Sequence, residues 1–176
     1  FSASTVDQFP KQLASALMFG TGLSVPVPDI DRCHYMLILG ANPLISNGSM
    51  MTAPNFPGRL RRLRQRGGKV VVIDPRRTKT AEASDEHHFI RPGTDAFLLF
   101  AIVHTLFEEG LIKRGRLEEW TTGIDEVRHL AMAFTPERVA PRCGIDVETI
   151  RRIAREIAHA PSGTVYARIG TCTQEF

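Results

Sequence analysis

Tyr35-Met-Leu-Ile-Leu-Gly-Ala-Asn-Pro43 reads as a buried strand that ends abruptly in a small-residue turn. A second apolar run, Lys69-Val-Val-Val-Ile-Asp-Pro-Arg-Arg-Thr78, follows it. Its Val-Val-Val-Ile core does not alternate with polar residues, the pattern of a strand covered on both faces. Arg91-Pro-Gly-Thr-Asp95 then opens an apolar helix. Each of these segments carries Gly, Asn, Asp, Arg or Thr where a strand ends or a helix begins. In an open α/β sheet that edge is where nucleotides bind. The expectation is a nucleotide-cofactor cradle.

Outward from these strands, residues 5–19 predict a helix with Pro10 in its first turn, where a missing N–H does no harm. Phe9, Leu13, Ala16 and Leu17 form its apolar stripe. The Gly/Pro-rich stretch 20–34 reads as a connector. A long loop over 41–56 carries Asn42, Pro43, Ser46, Asn47, Gly48 and Ser49. A basic helix spans about 57–66 and ends at Gly67-Gly68. Strands are expected at 35–40, 69–74, 87–90 and 164–169. Helices are expected at 78–84, from Thr94 to about 109, at 114–121 and 124–134, and at 147–159 behind an Asp146 cap. Strands that alternate with helices imply βαβ units, so the predicted class is α/β: a mostly parallel sheet flanked by helices, a Rossmann-like or doubly wound variant. The domain reading is a single unit over 1–176, with residues 1–34 as N-terminal helix and connector and 35–176 as the α/β core.

The chain has 176 residues, 43% of them hydrophobic, which suffices for one compact core. A net charge of +3 is too weak to argue for nucleic acid. The arginines at 59, 61, 62, 64 and 66 have no interleaved aromatics to stack on bases. They read as an outer, solvated helix face or one turned toward another domain. Three scattered cysteines, Cys33, Cys143 and Cys172, without a CxxC pair encode neither a zinc site nor an iron–sulfur cluster. They suit a reduced, cytoplasmic setting, with Cys172 read as a buried spectator. No apolar run approaches the ~18 residues a membrane span needs. Trp120 reads as packing. His87 and His88, adjacent on a strand, point to opposite faces and read as structural.

Gly40 lets backbone approach a bulky ligand, and Asn42 offers both amide donors and a carbonyl; the same residues also make an ordinary β–α turn. Asp74 at a strand tip can accept from ribose hydroxyls or simply stop the strand. Arg76 and Thr78 supply donors for phosphate, or sit in a solvated loop. Gly93, Thr94 and Asp95 expose backbone N–H groups at a helix start, and Asp95 can accept from the N–H edge of guanine; Thr94 and Asp95 also suit simple capping. The G-x-G-x-x-G fingerprint of nicotinamide-binding domains is absent from the first turn, and so is GxxxxGK[ST].

In this order, Gly-Ala-Asn-Pro (40–43), Val-Ile-Asp-Pro-Arg-Arg-Thr-Lys-Thr-Ala-Glu (72–82), Arg-Pro-Gly-Thr-Asp (91–95), Phe134-Thr-Pro-Glu and Gly-x-Cys-Thr-Gln (170–174) make the chain similar to the molybdopterin oxidoreductases of the dimethyl sulfoxide reductase superfamily. That group includes formate dehydrogenase and nitrate reductase catalytic subunits. Its members bind molybdenum or tungsten through two molybdopterin guanine dinucleotides. The resemblance implies a domain that cradles one of them. Gly40 and Asn42 would approach pyrophosphate and nucleoside, Asp74 the ribose, Arg76 and Thr78 the phosphate. Gly93, Thr94 and Asp95 would read guanine, while Gly170, Thr171 and Gln174 would border the pterin end.

The resemblance also implies what lies elsewhere: an N-terminal [4Fe-4S] segment, a domain that closes over the second cofactor, and an electron-transfer subunit as partner. A fragment of the catalytic chain, inactive alone, is the expectation. Relatives carry the metal's protein ligand upstream of the first strand. Residues 2–8 hold no cysteine there, only Ser4 and Asp7 as conceivable oxygen ligands, and both suit helix capping; no metal or catalytic residue is assigned. Two rivals stand beside this reading: a cofactor-free structural relative, which should have lost Asp74 and Asp95, and a conventional nicotinamide-binding domain, which wants a glycine-rich first turn.

Overall fold

The computed structural model describes residues 4–48, 51 and 53–174. Residues 2 and 3, Ser49 and the side chain of Ser4 lie outside what is described.

Four strands, β1 (Tyr35–Leu39), β2 (Lys69–Ile73), β3 (Glu86–His88) and β4 (Gly163–Ala167), form one sheet in the order β3-β2-β1-β4. Every pairing is parallel, with Tyr35 opposite both Lys69 and Gly163, and Val71 opposite Glu86. All four C-terminal ends therefore share one edge. The chain steps from β1 outward to β2 and β3, then returns to place β4 on the other side of β1. That reversal is the topological switch point of a doubly wound sheet.

Both faces of the sheet are covered, as the unbroken apolar runs require. Successive strand residues point to opposite sides. Tyr35, Leu37, Leu39, Val71 and Ile73 enter one core with α5 (Asp95–Glu108), α7 (Pro136–Cys143) and α8 (Val147–His159). Met36, Ile38, Val70 and Val72 enter a second core with α3 (Phe56–Gln65). At about 25 cal/mol per Å² of apolar surface removed from water, these two layers supply the main driving force for folding.

Local sequence explains most element ends. Asp146 caps α8 by accepting from Thr149 N at 2.9 Å. The αL backbone of Gly144 ends α7. Most of the arginines along α3 are engaged by the fold: Arg59 and Arg62 pair with Asp31, Arg64 with Asp85, and Arg66, just past its end, donates to the carbonyls of Ile30 and Cys33, while Arg61 is exposed.

Five expectations need correction. The N-terminal helix is two, α1 (Ser4–Asp7) and α2 (Phe9–Phe19), because Pro10 cannot donate to an upstream carbonyl and the helix restarts there. The α2 stripe is not buried; Leu17 is 80% exposed, and Phe9 and Leu13 are exposed with it. What α2 buries is Ser15, whose Oγ holds the connector carbonyls of Thr21 and Ser24. Helix α7 was not expected, because Pro136 and Pro141 disguise it; Pro136 occupies the first turn and Thr135 Oγ1 caps Arg138 N. Trp120 packs against little and is 82% exposed, at the end of a 3-10 turn, Gly115–Trp120. Cys172 is exposed, in a second 3-10 turn, Ile169–Cys172, which follows β4 and replaces the end of the expected strand.

Candidate functional site

The C-terminal edge of the sheet holds a cavity of about 310 Å³. Gly40 enters it from β1, Pro75 from β2, Arg168 and Gly170 from β4, and Gly93 and Asp95 from the start of α5. It sits at the switch point, where β1 and β4 diverge into different crossovers. The backbone N–H of Arg168 donates to Leu39 O at 3.2 Å and keeps the two strand ends together.

Gly40 N donates to Ile73 O at 2.9 Å and prolongs the ladder by one residue. Its φ of +56° then turns the chain out of the sheet, a conformation that glycine alone adopts without penalty. A Cβ on Gly40, Gly93 or Gly170 would meet no atom within 4 Å. All three glycines thus present bare backbone to open space.

Asp95 starts α5, behind the positive φ of Gly93. Burial raises its carboxyl pKa above the usual range, and the nearby charge of Asp74 raises it further, while its own backbone N–H lowers it in part. The Asp74 charge is thus within electrostatic reach of Asp95, although Asp74 does not itself line the cavity. A half-buried carboxylate within reach of a second negative charge favours a ligand with N–H or O–H donors, because donors relieve both desolvation and repulsion.

Asp74 is buried at the tip of β2. Its Oδ1 accepts from Arg76 N at 2.8 Å, and its carbonyl accepts from His87 Nε2 at 3.1 Å. The side chain of Arg76 is exposed and forms no ion pair among the described residues. Thr78 is buried and caps α4 (Lys79–Glu82) through Ala81 N at 3.1 Å, so its hydroxyl is engaged in the fold. Asn42 lies beside the cavity without lining it. Its Oδ1 accepts from Thr80 Oγ1 at 2.7 Å and from Thr80 N at 3.3 Å. Thr94 does not cap α5 with its side chain; its hydroxyl donates to Arg91 O at 2.6 Å.

Thr171 and Gln174 line the cavity from the second 3-10 turn. Gln174 Oε1 accepts from Asp95 N at 3.1 Å, and its Nε2 donates to Gly170 O. Of the eleven sequence candidates, then, Gly40, Gly93, Asp95, Gly170, Thr171 and Gln174 share one cavity. Asp74 is coupled to it, Arg76 is exposed on the adjoining loop, and Asn42, Thr78 and Thr94 serve local hydrogen bonds. Arg168, Pro75 and Thr173 also line it and were not anticipated. Arg168 could have been found only by knowing that β4 lies beside β1.

A second depression, about 380 Å³, lies on the α3 side between Asp29, Met51 and Arg59; the Arg59 charge is already paired with Asp31 there. His87 stacks edge-on against Phe89 while His88 bonds Glu86, so the two histidines do face opposite ways. Among the described residues no group of three or more His, Cys, Asp or Glu side chains could hold a metal ion, and no helix is long and apolar enough to cross a membrane.

The molybdopterin oxidoreductase family model matches residues 2–136. This chain belongs to the molybdopterin oxidoreductase family. F420-dependent formate dehydrogenase subunit alpha of Methanocaldococcus jannaschii is 31% identical over 153 residues, covering 86% of this chain and 22% of that protein. Formate dehydrogenase H of Escherichia coli is 29% identical over 148 residues, covering 84% of this chain and 20% of that protein. The chain thus spans about a fifth of the length of the curated relatives it matches. The solved structure of acetylene hydratase from Pelobacter acetylenicus superposes with a TM-score of 0.76 at 24% identity, covering 95% of this chain and 22% of that one. It shares the fold of this molybdopterin oxidoreductase domain.

Proposed function

We propose that the chain is the part of a molybdopterin-dependent oxidoreductase that anchors one molybdopterin guanine dinucleotide, with molybdenum or tungsten held at the far end of the cofactor. The observation that carries this reading is the glycine-walled cavity at the switch point, with Asp95 at its mouth and Asp74 beside it.

The residues present fit such a group. Gly40, Gly93 and Gly170 leave backbone bare where a flat ring or a pyrophosphate must come close. Asp95 accepts from the N–H edge of guanine, and Asp74 accepts from ribose with the carboxylate oxygen that its turn leaves over. Arg76, with Arg77 and Lys79 on the same exposed loop, supplies positive charge for phosphate. Thr171 and Gln174, expected at the pterin end, share the cavity with Asp95 and so stand beside the guanine end on this reading. The bound cofactor supplies two-electron redox chemistry at its metal; this chain supplies orientation, since many contacts along a remote tail fix the reacting end.

In the parent protein the reaction needs parts outside this chain: further domains, an iron–sulfur segment and an electron-transfer subunit. The exposed apolar side chains of α2 suit burial against such a domain. The isolated chain is inactive on this reading. Three unpaired cysteines suit a cytoplasmic setting. A cofactor-free relative has no need of paired carboxylates around a bare-backbone cavity. A nicotinamide domain shares the strand order but needs a glycine fingerprint after β1, which this chain lacks.

Titration calorimetry with GDP, ADP and NAD tests the proposal. Binding of GDP in clear preference to the other two is the expected result. Preference for NAD overturns it.

A further inference from the structure

Thr80 is fully buried, on the inner side of the short helix α4. Nothing in the cofactor reading gives it a role, yet its hydroxyl is committed at both ends. It accepts from Leu44 N at 3.2 Å and donates to Asn42 Oδ1 at 2.7 Å. The polarity of this chain is fixed by chemistry. A backbone N–H only donates, so the Leu44 contact leaves the hydroxyl proton for Asn42. Thr80 N, an orphan donor in the first turn of α4, points at the same Asn42 atom at 3.3 Å. That atom must be the carboxamide oxygen, because two donors converge on it.

The consequence is for the other arm of the amide. With the oxygen held by Thr80, the NH2 group projects from the opposite side of the planar carboxamide, and no partner within the described residues engages it. Asn42 lies two residues beyond Gly40, which walls the cavity. We propose that Thr80 is a positioning residue that locks the Asn42 carboxamide with its NH2 outward, so that the β1 loop presents a donor to the anionic, pyrophosphate part of the ligand. This inference rests on the cofactor reading above and deepens it. Asn42 thereby joins the ligand site through an orientation that a residue thirty-eight positions away imposes.

The test measures binding of GDP and of guanosine, which lacks the phosphates, to the 176-residue chain and three variants. T80V keeps the shape and loses the hydroxyl. T80S keeps the hydroxyl. N42D keeps the acceptor for Thr80 and replaces the NH2 by an oxygen. T80V and N42D are expected to weaken GDP binding about tenfold, with guanosine binding unchanged and T80S close to the parent chain. The Asn42 side-chain NH2 resonances are expected to shift with GDP and not with guanosine. N42D that binds GDP as the parent does overturns the inference, and so does T80V that loses GDP and guanosine in equal measure. Should T80V fail to fold, N42D and the NH2 resonances decide alone. A parent chain that binds GDP with T80V and N42D unaffected refutes the Thr80–Asn42 inference and leaves the cofactor reading standing; one that binds neither GDP nor guanosine refutes the cofactor reading itself and this inference with it.

Discussion

Gln174 Oε1 lies 3.1 Å from the backbone N of Asp95 and accepts its hydrogen bond across 79 residues of chain. The bond ties the turn after β4 to the N-terminus of α5, where the first N–H groups have no partner within the helix. It closes one side of the cavity. Q174A should cost about 1 kcal/mol of stability, the worth of one hydrogen bond, and should weaken GDP binding by loosening the wall beside Asp95. Urea unfolding and calorimetry on the same preparation check both; unchanged GDP affinity would show that the turn is not part of the site.

Asp95 gives a prediction of opposite sign for stability and binding. Its folded pKa is raised, by burial first and by Asp74 second. The folded state thus binds the proton more tightly than the unfolded chain. Stability from this group is fully present below the unfolded carboxylate pKa, near 4, and is lost as pH rises through the raised folded value. At neutral pH the charge is a burden, so D95N should unfold at a higher temperature than the parent chain, with the gap closing below about pH 3. A D95N variant less stable at pH 7 would show that the carboxylate is there for the fold rather than for a ligand.

The opposite edge of the sheet holds a charge network with the conventional sign. Burial pushes the Glu86 carboxyl up, but hydrogen bonds from Arg152, Lys69 and His88 outweigh it and hold the pKa at about 2. Lys69 Nζ also donates to Glu156 at 2.7 Å. Because the folded pKa is depressed, this stability is present above the unfolded carboxylate value and is lost as pH falls from about 4.5 toward 2. E86Q should cost about 2 kcal/mol at pH 7, since it leaves Lys69 and Arg152 short of a partner, and much less at pH 2. Denaturant midpoints at the two pH values check it.

Beside that network, the Tyr35 hydroxyl is buried and, among the described residues, meets no partner in good hydrogen-bond geometry, the Glu156 carboxylate beside it being poorly placed to accept. Burial raises its pKa, and the neighbouring Glu156 charge raises it further, so it stays protonated. Y35F should therefore be neutral or stabilising by up to about 1 kcal/mol, because it removes an unsatisfied polar group. A loss of more than that amount in thermal unfolding would mean the hydroxyl has a partner in solution.

The fold was legible because it depends on patterns that are local in the chain. Unbroken apolar runs at β1 and β2 announce a sheet covered on both faces, and Asp146 announces α8 within one residue. What escaped depends on other parts of the chain. The α2 stripe is amphipathic, but periodicity cannot say whether the covering surface lies within these residues. Helix α7 escaped because Pro141 violates a local rule that its packing against α5 and α8 overrides. In the site, Gly40, Gly93 and Asp95 were legible since strand ends and helix starts must converge on one edge. Asn42, Thr78 and Thr94 carry groups that suit a ligand, and the fold engages part of each: the Asn42 and Thr78 oxygens accept from Thr80 N and Ala81 N, and the Thr94 hydroxyl donates to Arg91 O. Sequence shows which groups can bond, not which bonds the fold has already claimed.

Asp95 as the reader of a guanine edge is the central claim, and the nucleotides GDP and IDP test it most directly. They differ only in the 2-amino group, one of the two N–H donors that a carboxylate can accept from together. The account predicts that the chain prefers GDP to IDP by about tenfold and that D95N abolishes the preference. Equal affinity for the two nucleotides in the parent chain, or a preference that survives in D95N, would contradict it.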